Sequence, residues 1–368
     1  MRTLRLALVL PFVTACPEPL PMGADGGLDG GSTTGAGFCP TPPAYSENVT
    51  SCVAGMDDYR PRTGMSASDT WPACISDSNT YSPVNPSITT VARVAAYEQI
   101  AERLWRAQRL PGPQDFVEAR VQYALDQGLD SRVQRREDVH YPAAPMPCST
   151  AGIPAQYPER CVGPSRLLPI LNDAFTKGAM GETPQVHAAR IEAALLWFLY
   201  VSALSEVMTC TTRAQDCDSC WAYYSGGTPR EQPLGLAKAI AAFAPETHQR
   251  AYDATLAVRC WRNLDNETGT GTNLALRDRA REQLDKAMLR GVAVVLRQRV
   301  AELACTSGET RDARLAFAKV LAPFIDRALR ERSPAHAAGV AAELAKTDPA
   351  QVDVGAVAGA LDAAFPCP

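Results

Sequence analysis

Apolar residues recur along most of the chain at steps of three and four, and rarely at steps of two. From residue 86 onward that rhythm predicts one helix after another. Val94, Tyr97, Ala101 and Leu104 trace one face of a first helix, which opens after the Asn85-Pro86-Ser87 turn. A second starts at Pro113 and runs toward Gln127, stopped by Gly128. A short helix follows Pro164. Residues 183–209, TPQVHAARIEAALLWFLYVSALSEVMT, then offer Thr183 as a cap, Pro184 at the first helical position, and a middle that is apolar on every side. A helix without a polar face has to be surrounded by others, so this one is predicted at the centre of a bundle. Its uncharged stretch, residues 193–205, is shorter than the ~20 residues that span a bilayer and reads as a core helix.

Downstream, EQPLGLAKAIAAFA and PETHQRAYDATLAVRCWRNL predict two shorter helices divided at Pro245. Thr272 is expected to cap the longest helix, residues 273–304. Its buried stripe is Leu284, Met288, Val292, Val295, Val300 and Leu303. A further helix over residues 311–330 contains Pro323 and is expected to kink there. The tail, residues 334–368, is rich in Ala, Gly and Val, carries weak helical signals and ends beside Cys367. Residues 39–85 are different. Cys39, Cys52 and Cys74 stand there among Pro, Ser, Asp and Asn with no sustained period, which predicts an irregular, disulfide-stapled segment. The fold class that results is all-α: an irregular helical bundle over residues 86–368, preceded by a loop-rich N-terminal segment.

The first sixteen residues, MRTLRLALVLPFVTAC, set the address. Arg2 and Arg5 precede an apolar run and a small-residue cleavage site. Val13-Thr14-Ala15-Cys16 resembles the lipobox of bacterial lipoproteins. The resemblance implies a signal peptide over residues 1–16, lipidation of Cys16, and a cell-envelope protein held to the membrane by acyl chains. Pro17 after that cysteine favours the outer membrane by the same family's sorting rule. Residues 17–38, rich in Gly, Pro, Ser and Thr, have too little apolar surface to offset their ordering entropy and read as a tether.

An oxidising compartment decides how the cysteines are read. Apart from Cys16, the candidates for disulfides are Cys39, Cys52, Cys74, Cys148, Cys161, Cys210, Cys217, Cys220, Cys260, Cys305 and Cys367. Cys148 and Cys161 flank a Pro-rich loop and are expected to pair. Cys210, Cys217, Cys220, Cys260 and Cys305 are expected to supply two bridges that tie the central helix to its neighbours. The Cys217-Asp-Ser-Cys220-Trp221 run lacks the His of a haem attachment, a second ligand pair for zinc, and the βαβ context of a redox dithiol, so a structural bridge is the reading it supports. Asp216 or Asp218 is expected to cap the helix that opens there, and Trp221 and Tyr224 to share a face.

Charge changes little. The net charge of −4 combines 36 basic and 40 acidic residues without a basic block, which argues against nucleic-acid binding. RVQRRED, residues 132–138, is closed at once by acids and reads as a solvated face. Glu137 and His140 have the spacing of carboxylate-bridged metal sites, but the chain has no second such pair. Glu98 and Glu102 read as a solvated pair, and the Thr268–Thr272 loop could hold an anion at a helix N-terminus. No catalytic residue, cofactor or metal site is assigned. The expected function is a lipid-anchored envelope binding or scaffolding module of unknown protein or small-molecule ligand. Alternatives are a metal-handling helical lipoprotein, similar to the iron-related imelysin family in helical, lipid-anchored character though without its Gly-x-His-x-x-Glu signature, and an envelope hydrolase.

Overall fold

The computed structural model describes residues 47, 52, 55–62, 70–125 and 128–368. Cys16, Cys39 and the stretches read as signal peptide and tether lie outside the described residues. The described residues all belong to one compact unit, Gly37–Pro368. Among them are thirteen α-helices and no strand: α1 (Thr90–Leu104), α2 (Pro113–Ala124), α3 (Leu129–Val133), α4 (Ile153–Gln156), α5 (Leu168–Ala179), α6 (Pro184–Thr209), α7 (Asp216–Ser225), α8 (Gly235–Ala241), α9 (Pro245–Leu264), α10 (Leu274–Ala301), α11 (Gly308–Arg332), α12 (Pro334–Ala345) and α13 (Val354–Ala364).

The apolar helix α6 lies at the centre, packed by α1, α5, α7, α8, α10 and α11. It is long and apolar enough to cross a membrane, yet Leu195, Phe198, Tyr200 and Val201 are buried against protein. Its two flanking acids are neutralised across the bundle: Glu192 accepts from Arg299 of α10 at 3.1 Å, and Glu206 from Arg136 at 3.3 Å. The stripe of α10 is buried as its spacing requires. Helix α11 remains one element through Pro323.

Several caps differ from the local expectation. Thr183 sits at the start of α6 with φ +28° and makes no side-chain cap bond. The free N–H of Gln185 is taken instead by Glu309 of α11, at 2.7 Å. Asn273, not Thr272, caps α10 by accepting from Leu276 N, while Thr272 donates its N–H and hydroxyl to Asp265. Glu98 accepts from Gly235 N at the head of α8, and Glu47 from Glu246 N and Thr247 N at the head of α9. Carboxylates from remote segments thus meet the positive ends of α6, α8 and α9.

The weakly patterned tail forms two true helices. Ser333 and Asp353 cap α12 and α13, and Val340, Leu344, Val357, Leu361 and Phe365 are buried. The irregular N-terminal segment is bound to the bundle by covalent and polar ties. Cys74 pairs with Cys260 of α9, Cys52 with Cys367 behind α13, and the backbone of Tyr59 exchanges two hydrogen bonds with Gln283 of α10.

Candidate anion-binding pocket

Four described bridges are present: Cys52–Cys367, Cys74–Cys260, Cys148–Cys161 and Cys210–Cys217. Cys305 is also disulfide-bonded. Two features correct the sequence reading. Cys260 reaches back to the N-terminal segment rather than to the central helix, and Cys220 is a free, buried thiol. Burial pushes that thiol up, so it is an inert packing group.

Cys210–Cys217 closes the turn between α6 and α7, and that turn forms one wall of a cavity of about 370 Å³. The other walls are the start of α1, the end of α6, and the segment just beyond α3. Five guanidiniums line the cavity, those of Arg93, Arg132, Arg135, Arg136 and Arg213, against two carboxylates, Glu206 and Asp216. Each carboxylate already serves one arginine: Glu206 with Arg136, and Asp216 with Arg213 at 2.8 Å. Arg132 and Arg135 make no side-chain hydrogen bond or ion pair with another described residue.

The arginines are held from behind. Arg136 is buried, bonds Tyr223 Oη at 3.4 Å, and lies over the rings of Tyr223 and Phe198 at 5.3 and 5.7 Å, while its Nε has no hydrogen-bond partner. Arg93 donates to Thr90 Oγ1 at 2.9 Å, and that hydroxyl pairs with Ser219 of α7 at 2.9 Å. Burial and then the neighbouring Arg93 hold Arg132 below the ordinary arginine value, with Arg135 and Arg136 adding to the effect. A guanidinium whose charge is disfavoured by other guanidiniums marks a site short of negative charge.

Gly163 fixes the height of the arginine-bearing segment. Its N–H donates to Arg136 O at 2.9 Å, and a Cβ there would stand 2.0 Å from Val133 O and 2.8 Å from Arg136 N. Only glycine lets the two backbones approach this closely. Cys148–Cys161 braces the chain two residues earlier.

This overturns the reading of residues 132–138 as a solvated face. The acids that close the run point elsewhere: Glu137 pairs with Arg160, and Asp138 with His140. Neighbours in sequence are not partners in space: Arg136 turns to Glu206, and Arg132 and Arg135 have no side-chain partner among the described residues.

The other candidates are absorbed by the fold. Asp216 and Asp218 do not cap α7. Asp218 is buried and accepts from Tyr81 Oη, Val84 N and Asn85 N at 3.0, 3.1 and 2.7 Å. Trp221 stacks on Tyr81 with centroids 4.2 Å apart, whereas Tyr224 bonds His248 Nδ1. Glu98 is half-buried in a salt bridge with Arg106 and Lys238, so only Glu102 is solvated. The Thr268–Thr272 loop is served by Asp265. His140 is bonded through both nitrogens, by Asp138 and Asp285. Among the described residues no group of three or more His, Cys, Asp or Glu is placed to hold a metal ion.

No protein-family model, curated protein or solved structure matches this chain.

Proposed function

We propose that the chain is a lipid-anchored protein of the bacterial cell envelope, better suited to the outer membrane, whose helical unit binds a small anionic ligand in the arginine pocket. The observation that carries the reading is the convergence of five guanidiniums on two carboxylates that are both committed to partners. Arg132 is half-buried with no side-chain partner among the described residues, so its charge costs stability that an entering anion offsets.

The test is the melting temperature of the full mature chain in detergent, in phosphate, sulfate, citrate or chloride at matched ionic strength. Multivalent anions are expected to raise it above chloride, and Arg132→Ala with Arg135→Ala to remove the difference. Equal melting temperatures in all four salts would overturn the reading.

A further inference from the structure

The composition of the pocket wall narrows the ligand, on the reading that the pocket is a ligand site. Arg136 and Arg213 are paired with the two carboxylates, and Arg132 and Arg135 are two further guanidiniums in the wall with no side-chain partner among the described residues. A single carboxylate would neutralise one of them. A phosphate monoester brings close to two negative charges and three acceptor oxygens on one tetrahedral centre, which guanidinium forks engage in pairs. The cavity, at about 370 Å³, falls in the range of small-molecule sites, roughly 300–1,000 Å³, and leaves room for a body beyond the phosphate.

That body meets polar groups. Beyond the charged residues the wall is made of hydroxyls and amides, with Ser87, Thr89, Thr209 and Gln215 among them, and Ile88 is the one apolar side chain in the lining. Hydroxyl side chains both donate and accept, and so complement the hydroxyls of a polyol better than an aromatic or acyl group. We infer that the pocket takes a phosphorylated polyol, a phosphate monoester carried on a sugar-like hydroxylated body. The phosphate sits between Arg93, Arg132 and Arg135, and the hydroxylated part lies toward Ser87, Thr89 and Gln215. This chemistry is shared by a soluble sugar phosphate and by the headgroup of a phosphorylated glycolipid.

Isothermal titration of the full mature chain in detergent tests it with four probes: glucose 6-phosphate, inorganic phosphate, glucose and citrate. Glucose 6-phosphate is expected to bind at least about tenfold more tightly than inorganic phosphate, and glucose to give no heat. Arg135 is exposed, so Arg135→Ala is expected to keep the wild-type circular dichroism spectrum and to weaken glucose 6-phosphate by about tenfold or more. Micelles doped with phosphatidylinositol 4-phosphate distinguish the sources. If glucose 6-phosphate displaces the chain's binding to them, the site reads a headgroup; if only the free compound binds, it reads a soluble phosphate. Equal affinity for phosphate and glucose 6-phosphate, or tighter binding of citrate, would overturn the phosphorylated polyol while leaving an anion site standing. Binding of none of the anions would overturn both.

Discussion

The imidazole of His140 lies 2.9 Å from the carboxylate of Asp285, joining the segment beyond α3 to helix α10. The other oxygen of Asp285 receives the phenol of Tyr200 from the central helix, and Asp138 holds the second ring nitrogen of His140 at 2.7 Å. Burial alone would lower the value of His140; hydrogen bonds to Asp138 and Asp285 outweigh it and raise it to about 9. The ring is therefore protonated more readily in the folded chain than in the unfolded one. Its stabilisation is complete below the unfolded value of about 6.5 and is lost as pH rises through about 9.

His140→Gln is accordingly expected to cost on the order of 2–4 kcal/mol at pH 6. The difference from wild type should shrink toward pH 10. Asp285 is held low by His140 and Tyr200 despite burial, so the same pair also weakens at strongly acid pH, as that carboxylate protonates. Urea unfolding between pH 5 and pH 10 measures the difference, and a gap that widens with rising pH would contradict the assignment.

Asp218 organises the approach to the pocket from the opposite side. It collects three donors from residues 81–85 and sits one helical turn from the Trp221 ring on which Tyr81 stacks. Asp218→Ala would strand those donors in a buried place, at an expected cost of about 2–5 kcal/mol. Because Asn85 and Ser87 belong to the pocket wall, anion affinity should fall with stability. Unfolding and titration of the same variant check the two effects, and unchanged stability would show that the three bonds contribute little.

Gly163→Ala tests whether backbone height matters to the arginines. The added methyl must move Val133 and Arg136 or Gly163 itself, and the cost is expected near 1–3 kcal/mol. Anion-dependent stabilisation should be lost at temperatures where the variant remains folded. A variant that keeps full anion affinity would show that the segment shifts without disturbing the guanidiniums.

The helices were legible because their signal is local. The period of three and four, Pro184 and Pro245 at first helical positions, and the all-round apolar middle of α6 placed most elements and the centre of the bundle. What escaped is what depends on remote partners. Glu47, Glu98 and Glu309 cap helices far from them in sequence, so Thr183 looked like a cap that the fold does not use. The tail looked weak because Ala and Gly give little amphipathic contrast, although Val357, Leu361 and Phe365 suffice to dock it. The pocket was hidden for the same reason as the caps. The acids next to Arg135 and Arg136 seemed to neutralise them, and only the fold shows Glu137 and Asp138 turned to Arg160 and His140.

Leu195 is fully buried in the middle of α6. A carboxylate there would have no partner and no water, and Leu195→Asp is expected to abolish cooperative folding, as the cost of burying an unpaired charge exceeds the ~5–15 kcal/mol that holds a domain together. Far-ultraviolet circular dichroism and thermal melting decide it. A cooperative transition near that of wild type would place α6 at the periphery.

The sulfur inventory links the folded unit to its proposed anchor. The chain has twelve cysteines. Four described bridges use eight, Cys220 is a free thiol, and Cys305 is in a disulfide, so Cys16 and Cys39 are the two remaining sulfurs. If Cys16 carries the lipid, Cys305 has Cys39 as its only candidate partner. Mass analysis of the mature, unreduced protein is therefore expected to find an acylated N-terminal Cys16 and a Cys39–Cys305 cross-link. Alkylation should label Cys220 in denaturant and leave it unlabelled in the folded chain. Each bridge should contribute ~2–4 kcal/mol, so reduction should lower the melting temperature. Opening Cys210–Cys217 should also weaken the anion effect, because the wall bearing Arg213 loses its clamp. A Cys16–Cys305 cross-link would rule out lipidation at Cys16 and with it the proposed attachment to the membrane.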